Sequence, residues 1–84
     1  MNMGRPKIAI VDANTLVVLG LKQLLQNVMP IMTVDSFSSF QEFEKAQPNS
    51  YYHYFVSQVI VLENRQFFSQ CIHKTIVLTI TKDP

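Results

Sequence analysis

The sequence predicts an α/β fold, a parallel sheet with helices on both faces, and three observations carry that prediction. Short apolar runs rich in β-branched residues alternate with stretches of helical spacing. The connections between them are short, and two of the helical stretches begin at cap-type residues. Strand and helix in alternation, joined by right-handed crossovers, make a parallel sheet whose chemistry sits at the carboxyl ends of the strands.

Each element follows from its residues. Lys7-Ile-Ala-Ile-Val-Asp12 is an apolar run ending in an acid, and it suits a strand buried on both faces. Ala13-Asn14-Thr15 is a capping cluster in which Asn14 can accept from the first free helix amides. From Leu16 to Val28, apolar residues at Val17, Leu21, Leu24, Leu25 and Val28 recur at helical spacing and form the face expected to pack on the sheet. Pro30 marks the exit. Met32 to Asp35 reads as a second strand. Ser38 and Ser39, followed three residues later by Gln41 and Glu42, give a capping-box signature. Phe40, Phe43 and Ala46 then line a second helix that Pro48-Asn49-Ser50 ends.

Tyr54 to Ser57 is a third strand and Thr75 to Thr79 a fourth. Between them the reading stays open. Val59 to Leu62 has the composition of a strand, while Glu63 to Cys71 could form one or two turns of helix.

Bulk properties narrow the classes of function. At 84 residues there is room for one small domain, spanning 1–84, which buries only about 60–65% of its unfolded surface. Charged residues are 15% of the chain against a usual quarter, so the surface should be adhesive and favour a partner or a self-interface. Net charge is +1 with the basic residues scattered, so this segment lacks the electrostatic footprint of a nucleic-acid binder. Cys71 is the single cysteine, and no apolar run nears the length of a membrane helix. A soluble, cytoplasmic protein is expected.

The strand ends that could carry chemistry are Asp12, Ser57 and Thr79, with Asp35 or Ser36 further out. Each also has an ordinary role open to it: Asp12 as acceptor for the following turn, Ser57 as a polar strand terminus, Thr79 as a β-branched strand residue. His53 and His73 have no cysteine or acid at metal-ligand spacing, and nothing marks Cys71 as activated. Tyr51-Tyr52 and Phe67-Phe68 read as core or interface. The first strand leads into Asp12-Ala-Asn-Thr without a glycine, and Gly20 falls inside the helix, where it is expected to be buried. No phosphate-binding loop exists, so neither an enzyme nor a nucleotide binder is expected.

Ile8-Ala-Ile-Val-Asp12 followed by Leu16-Val-Val-Leu-Gly20-Leu-Lys-Gln-Leu-Leu25 resembles the first strand and helix of receiver domains from LuxR-type (NarL-like) transcription regulators. About a quarter of the chain carries that resemblance, and the remainder agrees in element order and spacing. It implies a flavodoxin-like (receiver-like) fold with four strands in the order 2-1-3-4, incomplete relative to the family, whose fifth strand bears a lysine of the site. It also implies a signal-transduction role, with a DNA-binding helix-turn-helix domain that would lie beyond residue 84.

Working receivers hold Mg²⁺ with two or three acids, one of which accepts a phosphoryl group that a lysine and a hydroxyl neutralise. By the resemblance, Asp12 matches the first acid and Ala13 replaces the second. Ser57, 45 residues after Asp12, stands where the acceptor aspartate belongs, and Thr79 matches the switch hydroxyl. If the third strand were instead Gln58 to Leu62, Glu63 would hold the acceptor position and could mimic the phosphorylated acid. Either register implies a degenerate pseudo-receiver, independent of phosphorylation, with no cofactor and no effective Mg²⁺ site. Val18 and Leu19 stand where these receivers usually carry charge. With Leu16 they form either extra core contact or a homodimer patch. A stand-alone protein-interaction module without any DNA-binding portion is the alternative reading.

Overall fold

Strand β1 (Lys7–Val11) runs through the middle of the sheet because four of its five residues, Ile8 to Val11, are apolar enough to be buried on both faces. A computed structural model describes residues 6–79. The sheet has four strands, all parallel, in the order β2-β1-β3-β4, with β2 at Thr33–Phe37, β3 at His53–Ser57 and β4 at Thr75–Leu78. The expected fold class and strand order are therefore those observed.

Helix α1 (Thr15–Val28) starts at Asn14, whose side-chain oxygen accepts from the amides of Leu16 and Val17. It covers the face of the sheet formed by Ile8, Ile10 and Val34, with Leu25 buried and Val18, Leu21 and Met29 packed beside it. That spacing, 18-21-25-29, is a single helical stripe. The opposite face carries α2 (Phe40–Lys45), α3 (Gln58–Glu63) and α4 (Arg65–Gln70). Here Ala9, Val11, Tyr54 and Val56 of the sheet meet Phe43, Ile60 and Phe68. Phe43 is fully buried, and six other rings lie within 4.9 to 6.4 Å of its centroid. Such contacts add to the burial that sustains a small core.

Two polar arrangements tie the lower part of this face. The Tyr51 hydroxyl donates to Asp35 Oδ2 at 2.7 Å, and the Lys7 ammonium lies 4.8 Å from the Tyr51 ring centroid. The Tyr54 hydroxyl donates to the Pro48 carbonyl at 2.8 Å. Burial, the hydrogen bond to Asp35 and the Asp35 charge push the Tyr51 phenol well above its usual range. Burial, with the Cys71 thiol beside it, pushes that of Tyr54 up to about 12.

Several expectations need correction. Leu24 and Val28 do not face the sheet: they are 57% and 66% exposed, and Val18 takes the inward place. Val18 is thus in contact with the core, partly buried against Ile8, Ile10, Leu25 and Val34. Gly20 lies on the exposed side of α1, with nothing within 4 Å of where a Cβ would stand. Strand β2 continues to Phe37, so Asp35 and Ser36 sit within it rather than at its carboxyl end. Val59 to Leu62 is helix, started by the Ser57 hydroxyl, so no strand ends at Glu63. Of the aromatic pairs, Tyr51 and Phe68 are core, Phe67 is partly buried and Tyr52 is exposed. Among the described residues, no helix is long and apolar enough to cross a membrane.

Candidate functional site

The carboxyl ends of β1, β3 and β4 open into one cavity of about 840 Å³, in the size range of small-molecule sites. Asp12, Ala13, Ser57, Glu63 and Thr79 all line it. The residues singled out in the sequence for the site are therefore brought to one place, although they come from four separate segments. The flanking candidates Leu16, Val18 and Leu19 lie elsewhere. Leu16 is 80% exposed, while Val18 and Leu19 border a smaller cavity of about 300 Å³ that also includes Asp12 and Ala13. His53, His73 and Cys71 line neither cavity.

Asp12 follows directly on β1, and its own amide donates to the Phe37 carbonyl at 3.0 Å, which fixes it beside β2. It is 9% exposed, the one buried charged residue among those described. Its Oδ1 accepts from the Asn14 amide at 2.9 Å. This bond shapes the β1–α1 turn and leaves Asn14 free to cap the helix, so part of the Asp12 carboxylate has a structural duty.

Ser57 ends β3 and is also the N-cap of α3, its hydroxyl accepting from the Ile60 amide at 3.4 Å. A serine here ends the strand and begins the helix without an intervening loop. Asn64 repeats this economy further on, closing α3 and opening α4 while its side-chain amide donates to the Ile60 carbonyl at 2.9 Å. Thr79 lies one residue past β4 and is exposed. Glu63, the last residue of α3, is exposed at the cavity rim.

The β2–α2 turn supplies part of the wall that sequence reading missed. Ser39 caps α2 by accepting from the Glu42 amide at 3.3 Å, and Glu42 Oε1 accepts from the amide and hydroxyl of Ser38, both at 3.2 Å. Ser38, Ser39, Phe40 and Gln41 all border the cavity. The capping box was legible as a helix start; that β2 lies beside β1, and so brings its following turn to Asp12, was the signal that could have placed it.

A divalent cation of the kind receivers bind fits this donor set poorly. Among the described residues the cavity's carboxylates are Asp12 and Glu63, and no three metal-ligating side chains cluster. Magnesium demands octahedral oxygen ligation, and Ala13 and Ser57 contribute no carboxylate toward it. Comparison with protein-family models, with curated proteins and with solved structures found no match.

Proposed function

We propose that the chain is a receiver-like regulatory domain of a LuxR-type transcription regulator, independent of phosphorylation and acting through protein contacts. One observation carries the reading. Asp12, exposed Ala13 and the helix-capping Ser57 line the cavity at the strand ends, and the resemblance to receivers implies acids at the last two of these positions. Phosphoryl transfer to an aspartate needs a carboxylate acceptor and a cation to offset the charge on the transferring group. The serine hydroxyl is instead engaged with a helix amide. DNA binding, in this reading, belongs to a helix-turn-helix portion outside the 84 residues, and the domain works in the cytoplasm without enzymatic activity.

The test is incubation with acetyl phosphate and Mg²⁺ followed by intact-mass measurement. The reading predicts an unchanged mass. A phosphoryl adduct that hydroxylamine removes, as it does from an acyl phosphate, would contradict it.

The contact surface is sought on α1, where Leu16 and Leu19 are large, apolar and 80% and 58% exposed. A homodimer through these residues predicts that Leu16→Lys with Leu19→Glu lowers the sedimenting mass to that of a monomer. An unchanged mass removes α1 from the interface.

A further inference from the structure

We propose that the cavity at the strand ends binds an organic cation, a guanidinium or ammonium on an alkyl stem, with its charged head against Asp12. The inference rests on the reading that this cavity no longer takes a phosphoryl group, and it gives the cavity an occupant of the opposite charge.

The state of Asp12 is the first observation. Its carboxylate is nine-tenths buried, and its one hydrogen bond from the described residues is that of the Asn14 amide to Oδ1. Every wholly buried side-chain polar atom among the described residues has a partner, so Oδ2, which accepts none from those residues, opens onto accessible space. The carboxylate is mostly enclosed yet keeps Oδ2 open to the cavity, and no cationic side chain among the described residues lines it, so a cation arriving from outside can take that oxygen.

The sign of the wall is the second. Among the described residues its charged side chains are Asp12 and Glu63, and no lysine, arginine or histidine lines it. A small dication would lack ligands, as shown above. A guanidinium or ammonium needs one charge-assisted hydrogen bond and neutral acceptors around it. The hydroxyl and carboxamide groups of the wall, Ser39 and Gln58 among them, are of that kind.

Third, the polar head space adjoins an apolar wall that includes Val17, Leu21 and Leu78. A hydrocarbon stem lies well on such a surface while its charged end stays with the acid. The same chemistry comes from two sources, a free small amine or an arginine or lysine on a partner peptide.

The experiment is an amide-resolved NMR titration of the chain with N-butylguanidinium, with N-butylurea as the uncharged isostere. Saturable shifts are expected at Ala13, Asn14, Ser57 and Thr79, diminishing as salt is raised and absent with the urea. Asp12→Asn keeps an oxygen for the Asn14 amide and should weaken binding about 10- to 100-fold, the range for one hydrogen bond to a charged group. Glu63→Gln, on an exposed side chain, should produce a smaller weakening with no risk to folding. An acetyl-Gly-Arg-Gly-amide peptide that binds more tightly than N-butylguanidinium assigns the site to a protein partner; weaker binding assigns it to a free small cation.

Unsaturable shifts, equal response to the urea, or full binding by folded Asp12→Asn would overturn the proposal. Adding Mg²⁺ with beryllofluoride to the same sample separates the two claims. A response there contradicts the phosphorylation-independent reading, whereas silence to both reagents removes only the cation site.

Discussion

If the proposed receiver alignment holds, carboxylates at its two acid positions should create a Mg²⁺ site, and Ala13→Asp with Ser57→Asp is the variant that supplies them. Ser57 caps α3 through a long bond of 3.4 Å. Aspartate is as good an N-cap as serine, so the cap changes by a few tenths of a kcal/mol rather than the ~1 kcal/mol of a Ser→Ala loss. Ala13 is exposed, so a carboxylate there needs no desolvation.

The cost is repulsion among three acids. With one of them screened by solvent this comes to about 1–3 kcal/mol, which for a domain of this size lowers Tm by about 4–8 °C per kcal/mol. Mg²⁺ at ten times its dissociation constant returns about 1.4 kcal/mol, or about 6–11 °C. Thermal unfolding followed by circular dichroism, with and without Mg²⁺, reads both effects. The variant should be less stable than the parent without the metal and regain about 1.4 kcal/mol with it, while the parent does not respond to Mg²⁺. A folded variant indifferent to Mg²⁺ would show that Ser57 is not at the acceptor position, and the alignment of the site would be lost with it.

Three further predictions concern the scaffold. Gly20→Ala, on the exposed side of α1 with open space at the Cβ, should raise stability by about 0.5–1 kcal/mol in thermal unfolding, and a fall would mean the helix needs that glycine. Phe43→Ala should cost about 3–5 kcal/mol because it removes the ring at the centre of the aromatic cluster, and a denaturant midpoint close to the parent's would refute the packing described. Alkali should unfold the protein between pH 10 and 12. The phenols of Tyr51 and Tyr54 keep their protons in the folded state after the unfolded chain has released them, so their contribution is whole below pH 10 and falls by about 1.4 kcal/mol per pH unit for each. Tyr51→Phe with Tyr54→Phe should remove that alkaline loss, and an unchanged alkaline limit would refute the cause.

How much of this was legible in the sequence depended on whether local pattern and tertiary environment agreed. They agree in β1, β3 and β4, whose apolar runs lie where they were expected, and at Asn14 and Ser39, whose caps are local chemistry. They disagree in α3. Val59, Ile60 and Val61 are β-branched and suggest a strand, but the Ser57 cap and the burial of Ile60 against the sheet make the segment helical. Strand β2 is at an edge and carries Asp35 and Ser36, so its polar positions concealed its last residues.

Helix α1 hid its phase for a different reason. It is apolar around much of its circumference, and Leu24 looked as suited to the core as Val18 until the sheet fixed the rotation. In the site, Asp12 was legible as an acid closing an apolar run and Ser57 by its distance along the chain. The contribution of Ser39 and Gln41 was not, because it depends on where the β2–α2 turn falls in space.

The central claim is that the pocket has lost its response to phosphoryl chemistry. Its most direct test is an amide-resolved NMR titration with Mg²⁺ alone and then with beryllofluoride, which mimics a phosphoryl group on an aspartate. The account predicts no specific shifts at Asp12, Ser57 or Thr79. Saturable shifts confined to those residues would mean that the pocket still works as a receiver site and would contradict the account.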